Sequence, residues 1–461
     1  MTNALTTNRG YSPYALFLCF TFLCLHSRAQ DYAGFRTGNY TGVTGVFSNP
    51  ANIADSRYRW DVNLFSLNVM AGNDKADFKL SDLAHSLNGD SLKNKLTGPH
   101  AGLTNAMANL TFTGPSVMFS IGKKNAIALT TRARVMVNVK NVDGTFINQF
   151  ASQDANDASL PYSFSTPGNN MISINAWTEF GASFARVLVD KGFNYLKGGL
   201  TLKYLAGMAN GYFQMDHLQG TLAADNTGVY MTNTSGLIGL GFGGTSIDDV
   251  KNGHLGGLKS SGFGADLGFV YEFKPTHHEY LLRAGVALLD LGSISYSRDT
   301  SRSSTYTAHI ASGQKSYLND FGDVDNYNQY LQSHPQYFTR SGNTAGSYSV
   351  GLPTTLQVDL DYHIFKGFYT NLNGQFSLAS GDKPYNSSYY NAYTLTPRFE
   401  GRRFGFYLPV NYNQLTHFNA GFCFRAGPFF VGSGSAVSAA LGSSKQADFF
   451  FGFRFGGLRR S

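Results

Sequence analysis

The sequence predicts an all-β fold: one closed antiparallel transmembrane β-barrel of about 14 strands with an N-terminal plug segment. Three observations carry this. Apolar and polar residues alternate with period two along most of the chain. The connections between strand candidates are short on one side and long on the other. Charged residues make up only 14% of the sequence, against 15% aromatics and 52 glycines, whereas an average soluble protein has about 25% charged residues. Strands that meet lipid on one face only need that balance.

Residues 1–30 read as a secretory signal peptide. Arg9 gives the positive start, Tyr14–Leu25 the apolar stretch, and Ala29 a small residue near the cleavage point. The apolar stretch is shorter than the ~20 residues a membrane-spanning helix needs. Cys19 and Cys24 fall in this leader, which leaves Cys423 and excludes a cysteine metal cluster. Net charge is +7, and removing Arg9 and Arg28 leaves +5. No basic cluster with interleaved aromatics stands out, so no nucleic-acid partner is predicted.

Residues 31–56 are small and Gly-rich and form the plug. Asn49 followed by Pro50 has the signature of a helix start. The barrel occupies 57–461. Its strands alternate near 57–70, 111–122, 126–140, 172–187, 198–214, 262–273 and 280–290. They continue near 352–365, 367–380, 391–399, 403–411, 417–426, 428–435 and 446–456. The hairpin of 262–292 shows the logic. Phe263, Leu267, Phe269 and Phe273 share one face, and Asp266 and Glu272 the other.

Short connections follow each even strand, at 122–125, 274–279, 365–367, 400–403 and 426–427. The one at 188–197 is the longest of this set. Long ones follow odd strands, at 71–110, 141–171, 215–261 and 297–351. A sandwich has no reason to sort loops by parity; an outer-membrane barrel does. Leu80, Leu83, Ala84 and Leu87 have helical spacing, which predicts a short helix over 78–87. The Ser-, Tyr- and Asn-rich 297–347 predicts a mobile exterior loop.

In hydrocarbon the sheet must close, so the apolar phase faces lipid and the polar phase the lumen. The same phase places Arg132, Arg134, Glu179, Lys203, Asp266, Glu272, Arg283, Asp359, Asp361 and His363 inside, with Asn371, Asn373 and Gln375. Asp266 and Arg283 stand at mirrored distances from their turn, as an ion pair or as two separately solvated residues. Asp359-x-Asp361-x-His363 puts two carboxylates and an imidazole on one face. That pattern suits a divalent cation or acid–base chemistry, but a hydrated lumen lining is far commoner. The glycine runs at 239–244 and 262–268 continue into strands, so they are barrel wall rather than nucleotide loops. No nucleophile with its base is identifiable, and no catalytic residue, metal or cofactor is predicted.

The residues Ser48–Asn52 just after the leader, the short-turn hairpins and the Gly-rich wall resemble the long-chain fatty-acid outer-membrane transporter superfamily. Leu196–Tyr212, Gly262–Phe273 and Leu281–Gly292 look closer to an uncharacterised branch found with the barrel proteins of type IX secretion and gliding. The resemblance implies a hatch inside the barrel, carried by Asn49, Pro50 and Ala51. It also implies the outer membrane of a Gram-negative-type bacterium. The charged lumen departs from what a fatty-acid conduit needs. The sequence thus predicts a channel or transporter for small, partly hydrophobic solutes. The alternative is a non-transporting barrel that docks secretion or surface proteins. Expected partners are outer-membrane lipid and a small solute, or such a protein.

Overall fold

The computed structural model describes residues 32–80, 102–245, 260–275, 279–321, 327–341, 346–379 and 383–459. The leader, most of the helix expected at 78–87 and the His277-His278 turn lie outside them.

Fourteen staves close into one antiparallel barrel. Strands are numbered along the chain. The first stave is β1 (Tyr58–Asn73). The second is β2 (Leu103–Thr113) with β3 (Ser116–Ile121), interrupted at Gly114-Pro115. Then come β4 (Asn125–Asp143), β6 (Asn170–Lys191), β7 (Asn194–Asp225), β9 (Ser260–Phe273) and β10 (Leu282–Ser297). The eighth stave is β14 (Ser347–Gly351) with β15 (Thr355–Phe365), followed by β16 (Phe368–Ser377) and β17 (Ala392–Glu400). Two further broken staves are β18 (Phe404–Tyr407) with β19 (Val410–Asn413), and β20 (His417–Ala420) with β21 (Phe422–Ala426). The last are β22 (Phe429–Ser433) and β23 (Gln446–Leu458), and β23 pairs with β1 from Leu458 opposite Tyr58 to Gln446 opposite Gly72. Closure leaves no unpaired edge for lipid to meet.

Side chains follow the pleat. Leu129, Leu202 and Phe263 are 60% or more exposed, while Arg134, Lys203 and Asp266 on the same strands are buried. A belt of exposed Leu, Phe, Ile and Val around a polar interior is stable only in hydrocarbon, so this barrel spans a membrane. Short turns mark the periplasmic rim.

One of those turns is shorter than the sequence suggests. Between β6 and β7 only Gly192 and Phe193 remain, with Gly192 at φ +59°. The ends of these strands carry Asp190, Lys191 and Asn194 beyond the lipid belt, and a bulge between Val187 and Val189 breaks the alternation. A loop of about ten residues was therefore the natural sequence reading.

The expected exterior loops at 215–261 and 297–347 are largely built structure. The upper half of β7 leaves the barrel and pairs with β8 (Gly228–Gly244). β8 pairs with β11 (Ser304–Ile310) and β12 (Ser316–Tyr317), and β11 with β13 (Phe338–Ser341). β5 (Tyr162–Ser165) adds to the other edge of β7. Helices α1 (Gly144–Ser152) and α2 (Tyr327–Ser333) cover this sheet, and Phe146, Met215, Met231, Tyr306, Leu331 and Phe338 form its core. We call this extracellular unit the annex. A third helix, α3 (Ala436–Leu441), lies between β22 and β23.

A bulge re-aims side chains. On β10, Leu289 and Asp290 both stand opposite Asp266, and Asp290 takes φ +57°. Below the bulge odd residues face the lumen; above it Ile294 and Tyr296 do. One extra residue inverts the phase of everything beyond it.

Candidate transport pathway

Residues 32–57 lie inside the barrel. They form two short 3-10 turns, Gly42–Phe47 and Pro50–Ile53. Asn49 caps the second: its Oδ1 accepts from the Ala51 amide at 2.9 Å, and Pro50 occupies the first turn, where a missing N–H costs nothing. The Asn49 Nδ2 donates to the backbone oxygens of Phe269 and Val286, 3.1 Å each, tying the turn to the β9–β10 hairpin. The wall makes room for it. A Cβ at Gly268 would overlap the Asn49 carboxamide, and one at Gly199 would overlap the Pro50-Ala51 peptide. Asn39 is held by Glu400, which accepts from its amide at 3.0 Å and its Nδ2 at 2.9 Å. The Val43 amide donates to Asp61 at 2.8 Å.

Above this insert sits a charged cluster. Arg132 and Arg134 reach Glu179 at 2.7 and 2.9 Å. Arg134 also reaches Asp290 at 2.9 Å, and Lys203 meets Asp290 at 2.6 Å and Asp266 at 2.7 Å. Three cations thus balance three carboxylates, all buried. Trp177 donates to Glu179 at 2.8 Å, and the Arg134 guanidinium lies over its indole at 4.7 Å. Burying charge is tolerable only with this degree of pairing.

A second cluster lies toward the periplasm. Arg398 bridges Asp361 at 2.6 Å and Glu400 at 2.9 Å, and Arg283 joins Asp361 at 2.8 Å. Glu272 pairs with Lys197 at 2.6 Å and Lys274 at 2.9 Å. At the rim, Asp55 holds Lys274 at 3.1 Å and Arg459 at 2.7 Å.

The extracellular mouth is also occupied. The segment 383–391, between β16 and β17, folds down into the lumen. Asn138 and Ser388 exchange two hydrogen bonds, at 2.9 and 3.2 Å. Asn175 donates to the Tyr385 carbonyl at 3.0 Å, and Asn386 accepts from the Gly351 amide at 2.9 Å. Tyr389 reaches the centre and takes a 2.7 Å hydrogen bond from Arg134. Two chambers of about 40 and 30 Å3 adjoin Arg36, Phe47 and Arg132, and the smaller lies between the two inserts, against Tyr389. Each has room for about one water molecule. Above 383–391, a polar vestibule of about 800 Å3 is lined by Asp74, Asn105, Lys140, Gln214 and Gln414.

Beside the mouth, in the annex, lies an almost wholly apolar pocket of about 350 Å3. Phe146, Ile147 and Phe150 of α1 and Tyr327 and Leu331 of α2 roof it; Ile174, Phe213 and Leu240 floor it.

The lumen-facing residues read from the sequence fall into separate groups. Arg132, Arg134, Glu179, Lys203 and Asp266 share one cluster, while Glu272, Arg283 and Asp361 belong to the lower ones. Asp266 and Arg283 do not pair. Strand register sets Arg283 opposite Glu272 and Asp361, and Asp266 opposite the bulge. Asp359, Asp361 and His363 do not converge on a cation. Asp359 takes Asn373 at 2.8 Å, Asp361 takes two arginines, and His363 stacks on Tyr369 at 4.5 Å, with Glu279 at 3.6 Å. Asp290, Arg398 and Glu400 escaped the sequence reading. Asp290 had a usable signal: strict alternation puts its carboxylate in lipid, which only a bulge can avoid.

A family model described as "Family of unknown function (DUF5723)" matches residues 50–434. The chain belongs to that family. No curated protein matches it. Among solved structures, the barrel is similar to the Ralstonia pickettii toluene transporter TbuX, at 12% identity and TM-score 0.38, covering 93% of this chain and 95% of that one. It is similar to a Pseudomonas aeruginosa FadL homologue at 10% and 0.35, covering 94% and 100%. It is also similar to the P. putida toluene transporter TodX at 9% and 0.41, covering 91% and 95%. The DUF5723 chain is a closed barrel with both ends of its lumen occupied.

Proposed function

We propose that this protein takes up small apolar molecules across the outer membrane of a Gram-negative-type bacterium, reached by the cleavable leader at 1–30. The annex pocket carries the reading. Its volume lies in the range of about 300–1,000 Å3 usual for small-molecule sites, and its lining is apolar. It lies on the outer face of β6 and β7, across the wall from a lumen whose inserts are held by hydrogen bonds that can open without breaking a covalent bond. Residues 31–56 act as the hatch, with Asn49, Pro50 and Ala51 as its anchor. The reading assigns no catalytic step.

The test has two arms. An apolar fluorescent probe should bind the purified protein, and Ile147→Asp, which places a carboxylate at a partly buried position of the pocket lining, should abolish binding. Vesicles holding the intact protein should take up toluene-sized solutes faster than empty vesicles. Binding without uptake would favour the second reading, a barrel that docks secretion or surface proteins. The ordered annex sheet supports that alternative.

A further inference from the structure

We propose that a hollow on the lipid-facing side of β9, β10, β15 and β16 binds the acyl chains of one membrane phospholipid. The proposal is independent of what crosses the lumen.

Along much of the belt, outward residues are bulky, as the exposed Leu, Phe and Ile side chains show. On this face two neighbouring outward positions are small, Ala284 of β10 and Gly374 of β16. Between them Val358 and Leu360 form the floor. Phe269 and Tyr271 make one wall, Phe376 and Tyr393 the other, and the hollow measures about 690 Å3. Its lining is nearly all apolar.

Its position decides the occupant. Exposed Tyr362, Ile364 and Phe368 flank it toward the periplasm, and Phe263, Leu291 and Leu378 toward the outside. A hollow bracketed this way lies within the hydrocarbon layer, where water is excluded and only chains can fill it. At the periplasmic end the Tyr271 hydroxyl donates to Asn194 beside the Gly192-Phe193 turn, at the interfacial level where a headgroup lies. That end favours a phospholipid over a free chain lying wholly in the core.

The wall behind the hollow is also the wall the N-terminal insert grips. Phe269 and Val286 line the hollow with their side chains and accept from Asn49 with their carbonyl oxygens. Lipid and insert therefore hold opposite sides of one hairpin.

The experiment compares full-length wild type with Ala284→Phe, which fills the hollow, and Ala182→Phe, the same enlargement at an exposed outward position of β6. After extensive detergent exchange, native mass spectrometry should find one phospholipid on wild type and on Ala182→Phe, and its loss from Ala284→Phe. Retention by all three, or by none, overturns the proposal, and so does retention of a free fatty acid alone. If Ala284→Phe does not fold, wild type in vesicles with a diazirine-chain phospholipid still decides. Adducts should concentrate on Tyr271, Leu360 and Tyr393. An even spread around the belt overturns the site.

Discussion

Along β7, Lys197, Thr201 and Lys203 point into the lumen, while Met215, Leu218 and Leu222 farther up the same strand are buried among apolar side chains of the annex. The strand has not changed its chemistry; its surroundings have. In the membrane the outside is hydrocarbon, so polar groups gather inside and must satisfy one another. In the annex the outside is water, and apolar groups gather inside. The lumen is held by directed contacts that need every partner. The annex is held by packing, which tolerates rearrangement.

That contrast can be broken by substitution. The largest effect is expected from Arg134→Met. It leaves Glu179 and Asp290 buried beside fewer cations, and removing one partner of a buried ion network costs about 3–5 kcal/mol. The urea midpoint of refolding into vesicles should fall accordingly; an unchanged midpoint would mean the cluster is hydrated and weakly coupled. Leu331→Ala, in the annex core, should cost about 2–5 kcal/mol. Here the barrel should remain heat-modifiable on gels while the annex becomes protease-sensitive. Loss of both together would show one cooperative unit instead of two.

Phe269→Arg faces lipid and should cost about 2–4 kcal/mol if it lies near midplane. A folded fraction equal to wild type would refute the inside–outside assignment of the β9–β10 hairpin. Asn49→Ala removes two wall hydrogen bonds, worth about 0.5–1.5 kcal/mol each. The barrel should fold, and planar-bilayer conductance should rise; unchanged conductance would separate the insert from gating.

The smallest effect concerns acid. At the β7–β8 tip, hydrogen bonds from Lys315, the Thr227 amide and Tyr317 hold the Asp225 carboxyl below its ordinary value. A depressed value means the tie is complete above the unfolded carboxyl's range and lost only as pH falls through the folded one. NMR titration should show Asp225 ionised at a pH that half-protonates an ordinary aspartate, and a normal titration would remove the tie.

The barrel itself was legible because lipid enforces alternation on every stave. All fourteen staves lie where Phe263, Leu267 and Phe269-like patterns recur. The annex was not legible, for a physical reason. β8, β11 and β13 pair outside the membrane, where Gly236, Gly239 and Gly241 interrupt the pattern and nothing compels one face to be apolar. The ion clusters were half legible. Facing could be read for Arg132, Glu179 and Lys203, but partners depend on register across distant strands, such as Arg134 with Asp290. The insert 383–391 gave no signal, since part of its hold on the lumen runs through the backbone of Tyr385 and Ser388 and the rest through Asn386 and Tyr389, whose partners lie on distant strands.

The length of β7 has one more consequence. It runs for 32 residues, at most about 105 Å at strand rise, with bulges at Met208 and around His217, while a membrane crossing takes about 9–11 residues. A single beam therefore carries both the barrel wall and the floor of the annex pocket. A load applied to the annex from outside the cell would travel along one strand to the staves beside the insert.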